Sequence, residues 1–221
     1  MLLLAVWHWP KGREKSMTWI KAGPKDALSV SVVVKPEQGR PPMYYGTLLF
    51  ITIETVEFLA LIASYFYLRS SNSDWPPGDM ALPGLLLPTI GTVLLLVSVI
   101  PTYLGDHAIK KGDQRGLIIN LVITAVLETG FLILLVRHLQ DLSYWWDRNS
   151  YASIYWTLIV THLVFAGVMI LENLYILVHA VQGFYNEERH WGVEVDGLSS
   201  YFIVAAWIVI YLTVFISPYL M

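Results

Sequence analysis

Acidic side chains set in apolar surroundings are the residues of this sequence best suited to chemistry. Glu54, Glu57, Glu128 and Glu172 stand inside long apolar stretches, and His162 shares a stretch with Glu172. A charged group at the middle of a bilayer costs about 2.5–3.5 kcal/mol on insertion scales. Four such carboxyls require a protein-lined or wet interior, protonation, or partners. Lys and Arg are missing from the interiors of these stretches, so His162 is the one deep candidate cation in them. Glu54 and Glu57, at i and i+3, share a helix face. On a straight-helix count they lie about 16 and 21 Å from one end, with Glu128 at about 18 Å and Glu172 at about 13–15 Å from the ends on the same side. These depths predict an acidic cluster between the first, third and fourth helices, with His162 as its candidate partner. The cluster would accept or buffer protons. The alternative is a set of protonated carboxyls making interhelical hydrogen bonds, each worth about 0.6 kcal/mol.

Redox chemistry is disfavoured by the same inventory. With no cysteine in 221 residues, thiolate metal sites, iron–sulfur clusters and thiol catalysis are excluded. A bis-histidine haem needs two imidazoles at one depth on facing helices. His162 and His179 lie on a single helix, about 26 Å apart. A Glu-x-x-His metal pattern is missing, and Glu172 and His179 at i, i+7 are about 10 Å apart. The sequence therefore predicts no cofactor or metal bound by this chain.

The elements that must position these residues are membrane helices. The chain is 56% hydrophobic and 14% charged, with a net charge of −3. Soluble domains are about 25% charged. This composition excludes intrinsic disorder, a nucleic-acid partner and a disulfide-stapled secreted module. Five stretches reach the ~20 residues needed to cross a bilayer: residues 43–68, 82–104, 116–136, 151–181 and 199–220. Pro41-Pro42, Pro83, Gly105-Asp106, Arg115, Arg137, Arg148, Gly183, Asp196-Gly197 and Pro218 bound them. The fold class is all-α, a polytopic bundle of five transmembrane helices over residues 43–221. Residues 1–42 form a separate interfacial or cytoplasmic segment, with Trp7 and Trp9 suited to the headgroup layer and a short apolar patch at residues 27–34. Eleven Lys and Arg fall at the ends on one side, among them Lys110, Lys111, Arg115 and Arg189, against Arg69, Arg137 and Arg148 on the other. That bias places the N-terminus in the cytoplasm and the C-terminus outside.

Two surface features are read plainly. Tyr144, Trp145, Trp146, Tyr151, Tyr155 and Trp156 make an interfacial aromatic belt. Asp106, His107, Lys110, Lys111, Asp113 and Arg115 form a solvated charged turn that could meet lipid headgroups.

The order of motifs resembles subunit III of the haem–copper cytochrome c oxidases, in the five-helix form common in bacteria. Leu49-Phe50-Ile51-Thr52-Ile53-Glu54-Thr55-Val56-Glu57-Phe58, continuing to Tyr65-Phe66-Tyr67-Leu68, is similar to the family's helix with a buried, carbodiimide-reactive glutamate, which maps onto Glu54. Trp75-Pro76-Pro77, Leu87-Pro88-Thr89, the stretch from Ala108 to Arg115, Thr161-His162, Trp207 and Tyr211 follow in the family's order. Departures stand beside them. Phe165 replaces a second histidine, Ser200 to Val204 replaces a Trp-His-Phe-x-x-Asp pattern, Arg137-His138-Leu139 stands where Gln-x-x-Glu-Tyr is usual, and Glu57 and Glu172 are additional. The resemblance implies a non-redox accessory subunit of a terminal oxidase in a bacterial plasma membrane. It would pack against catalytic subunit I, with haem and copper in partner subunits and phospholipid in a cleft of this chain. It would support proton uptake and stability in aerobic electron transport, within an oxidase or a larger respiratory supercomplex. Alternatives are association with a nitric oxide reductase and a free-standing proton-coupled transporter.

Overall fold

A computed structural model describes residues 40–78 and 80–220. The segment read as interfacial, including Trp7, Trp9 and the patch at 27–34, lies outside the described residues apart from its last three. Five long helices follow in order: α1 (Pro42–Ser70), α2 (Leu86–Ile109), α3 (Gln114–Gln140), α4 (Ser150–Val181) and α5 (Trp191–Tyr211). After α5 the chain runs through a π-helical turn, Leu212–Ile216, into a last α turn, Ser217–Leu220. All five are long and apolar enough to cross a membrane, with α5 and its continuation as one span. The chain is a multi-pass membrane protein. No strand occurs among the described residues beyond an isolated bridge between Asn186 and Arg189.

The helix ends obey local chemistry. Pro42 starts α1, where a missing N–H costs nothing. The carboxylate of Asp113 accepts the Gly116 N–H at 2.9 Å at the start of α3, and the Asn149 amide oxygen accepts the Ala152 N–H at 2.9 Å at the start of α4. Gly112 and Gly183 take the left-handed conformation (φ +75° and +74°) that turns the chain out of α2 and α4.

Packing is closest between α2 and α3, because small residues let the two backbones approach. A Cβ added at Gly91 would lie 3.3 Å from the Phe131 ring, and one at Gly130 would lie 3.2 Å from Leu94. α3 packs on α4, α2 on α5, and α4 on α5. α1 rests on α4 and α5 at the margin of the bundle. In its most apolar stretch 11% of the residues are buried, against 50% in α5. The core centres on the fully buried Trp207, whose indole N–H donates to Thr92 Oγ1 at 2.8 Å. Phe131 and Phe215 pack against that ring.

The structure corrects several element boundaries. α5 begins at Trp191, eight residues before the expected start at 199, and runs straight through Asp196-Gly197. α2 begins later and extends to Ile109, so Asp106 and His107 belong to its last turns rather than to a loop. Half of the aromatic belt is core. Tyr144, Tyr151 and Tyr155 are buried and pack on one another, Tyr144 edge-on to Tyr155, while Trp145 and Trp146 remain exposed. The buried tyrosines fill the bundle end where His138 Nε2 meets Tyr155 Oη at 2.6 Å.

Candidate intramembrane carboxyl sites

α1 turns a narrow face inward, made by Glu54, Phe58 and Tyr65. Their spacing of four and then seven residues returns to one stripe of a helix. Glu54 opens onto a crevice between α1, α4 and α5, lined by Phe50, Ile51, Phe165, Met169, Ser199 and Phe202. It is 5% exposed, and its Oε2 makes no hydrogen bond among the described residues. An unpaired buried carboxyl oxygen carries a full desolvation penalty of about 1–3 kcal/mol. The crevice is otherwise apolar. The geometry therefore suits a neutral, protonatable acid facing an apolar groove.

A second acidic group lies within α3, α4 and α5. Glu128 on α3 is buried beside Ser200 of α5. Asp196 of α5 is also buried and accepts from Asn173 Nδ2 of α4 at 3.2 Å. Glu172 and Glu128 both lie within electrostatic reach of Asp196. Above Glu128 on α3, the Thr124 hydroxyl meets Thr102 of α2 at 3.3 Å. Glu128 Oε2 and Asn173 Oδ1 are buried without a hydrogen-bond partner among the described residues. The three acids share one polar region of the bundle, and the hydrogen bond that links helices there is the one from Asn173 to Asp196.

Adjacent serines on α5 face the two sites: Ser199 lines the crevice of Glu54, and Ser200 stands beside Glu128.

The expected grouping of acids is thus divided. Glu128 and Glu172 come together, Glu54 is one α5 residue step away, and Glu57 points outward from α1 as an exposed side chain. The expected link through His162 is not made. That imidazole is fully buried in a cage of Phe58, Phe131 and Trp207, with ring centroids 5.9, 5.7 and 5.0 Å away. Both of its nitrogens lack a hydrogen-bond partner among the described residues. Position along α4 decides this. His162 faces the aromatic centre, while Asn173, eleven residues on, comes back to the acids on the same α4 face.

Asp196 and Asn173 were not foreseen. Asp196 was read as part of an Asp-Gly helix boundary. The signal was available in the spacing of Val193, Asp196, Ser200, Val204 and Trp207, which continues the buried stripe of α5. No three His, Cys, Asp or Glu side chains converge as a metal-holding group among the described residues.

The chain matches the family described as Cytochrome c oxidase subunit III over residues 35–219. It is 31% identical over 173 residues to Cytochrome c oxidase subunit 3 of Thermostichus vulcanus, covering 77% of this chain and 85% of that protein. It is 30% identical over 180 residues to the Synechocystis sp. protein of the same name, covering 80% and 77%. The similarity reaches the Loxodonta africana protein at 24% identity over 183 residues, covering 77% and 68%. A match spanning the whole five-helix bundle, with Glu54 in the expected helix and turned inward, establishes that this chain belongs to the cytochrome c oxidase subunit III family.

Proposed function

We propose that this chain is a non-redox accessory subunit of a respiratory haem–copper oxidase. It sustains turnover of a catalytic subunit I that carries the haem and copper, and contributes carboxyls and a lipid-facing groove. It resides in a bacterial plasma membrane with its N-terminus in the cytoplasm, as the Lys and Arg distribution at the helix ends supports. The observation that carries this reading is Glu54, a buried carboxyl oxygen with no partner among the described residues, set in an apolar crevice between α1, α4 and α5. Such a group is costly to keep. It gains a use if it exchanges protons, or if the crevice receives the acyl chain of a phospholipid.

Glu54, Glu128 and Asp196 are the buried acids among the described residues, with Ser199 of α5 in the crevice of the first and Ser200 beside the second. These groups lie in the half of the bundle nearer the α2–α3 and α4–α5 connections, which the charge bias assigns to the proton-uptake side.

The test is Glu54→Gln in the purified oxidase complex. The haem spectrum should be unchanged, while the enzyme inactivates in fewer turnovers or takes up protons more slowly. Loss of haem on this substitution, or full wild-type lifetime and proton uptake, would contradict the assignment. Transport of an ion or solute by the purified chain alone in liposomes would favour a free-standing transporter instead.

A further inference from the structure

Glu57 is the acid that neither site absorbs. It sits one residue past the midpoint of α1 (Pro42–Ser70), and it is exposed. Its neighbours on the same stripe are Leu49, Ile53, Ala60 and Ser64, all exposed, with Leu49 at 63% and Ile53 at 57%. Ionisable residues at this depth almost always face a bundle interior, a wet cavity or a partner. Glu57 faces none of these within the described residues. Three hydroxyls on the outer side of α1 are satisfied by their own helix. Thr52 donates to the Leu48 carbonyl, Thr55 to that of Ile51 and Ser64 to that of Ala60, at 2.7–2.8 Å. A carboxyl differs from these hydroxyls in keeping an acceptor oxygen that its own helix, with every nearby N–H already bonded, does not fill.

We infer that the outward stripe of α1 centred on Glu57 docks a transmembrane helix of another polypeptide, which presents an N–H donor side chain opposite this carboxyl. Other occupants fit less well. Acyl chains offer no donor, and headgroups lie about 15 Å from the bilayer centre. A second copy meeting the same stripe would bring two carboxyls together, because Leu49, Ile53, Ala60 and Ser64 carry no N–H side chain. Residues 1–39 of this chain hold no run of the ~20 apolar residues needed to cross a bilayer. Charge complementarity therefore selects a helix bearing Arg, Lys, His or a side-chain amide. The small side chains of Ala60 and Ser64 allow it to come close.

The inference rests on the reading that the chain works in an assembly, and the test separates the two. A photo-crosslinking amino acid is placed singly at Ile53, Ala60 and Ser64, with Leu171 on α4 (67% exposed) as control, and irradiated in native membranes. The three α1 positions should capture one and the same polypeptide, at a single membrane-spanning peptide that contains an N–H donor side chain. Glu57→Leu should lower that adduct roughly three- to twentyfold, and Glu57→Gln, which still accepts a hydrogen bond, should largely retain it. Adducts to lipid only, to a second copy, to residues 1–39 or to a helix without a donor would overturn the inference. So would an adduct that Glu57→Leu leaves unchanged. If a haem-bearing partner still co-purifies in any of those cases, the accessory-subunit reading stands and this inference alone falls.

Discussion

Glu54 and His162 are both buried in the membrane and both carry atoms with no hydrogen-bond partner among the described residues, yet their surroundings give them different roles. Glu54 borders an apolar crevice between α1, α4 and α5, whereas His162 is sealed among rings. His162→Leu removes two unpaired nitrogens with little change of volume. It is expected to hold the unfolding temperature in detergent or raise it by roughly 2–4 °C. A fall would show that the imidazole has a partner. Asp196→Leu strips the Asn173 amide of its acceptor and should cost about 1–3 kcal/mol, with Asp196→Asn milder, as read by thermal unfolding. Equal stability of the two variants would contradict the buried network. Outside the spans, burial pushes the phenols of Tyr144 and Tyr185 up from the usual range near 10. Below about pH 10 these neutral phenols contribute their full stability. As pH rises further, the unfolded chain loses protons that the folded protein keeps, so stability falls. An absorbance titration should show late tyrosines that ionise together with unfolding, and complete ionisation near pH 10 in the folded protein would contradict this. The single-residue chemistry of Glu54 was legible from its position in an apolar helix. The separation of Glu57 from it was not, because i, i+3 neighbours on one face still differ by about 60° in direction, enough to put one inside and one outside.

At the scale of elements, apolar length announces a membrane helix more clearly than its ends. The first, third and fourth helices match their expected positions to within a few residues, since Pro, Arg and capping residues bound them. α5 is the exception. Its first turns carry Glu194, Asp196, Ser199 and Ser200, which depress the apolar signal although three of the four are buried against other helices. Polar residues paired inside a bundle look like a loop to any reading based on hydropathy alone. The tyrosines at the other end misled in the opposite sense. Amphipathic rings suit an interface and a core equally, and contacts among Tyr65, Trp75 and Tyr151 decide for the core. The α2–α3 contact rests on its glycines. Gly91→Leu would drive a side chain into Phe131 and should cost about 1–3 kcal/mol, seen as earlier thermal aggregation of the solubilised protein. Gly46→Leu, at an open position, should be silent by the same assay.

For the whole molecule, the bundle is self-sufficient around Trp207 and incomplete along α1. Five long apolar stretches were enough to read a multi-pass membrane chain. Which faces are left for partners emerges only from packing, because lipid and a neighbouring subunit select the same apolar residues. Membership of the subunit III family joins these halves, since the carboxyls then belong to a chain that works beside an oxidase. The most direct test is extraction in mild detergent, capture of this chain and a reduced-minus-oxidised optical spectrum of what accompanies it. We expect haem absorbance from a co-purifying polypeptide, in the same amount when Glu54 is replaced by Gln. Recovery of the chain alone, with no haem-bearing partner after gentle extraction, would contradict the account.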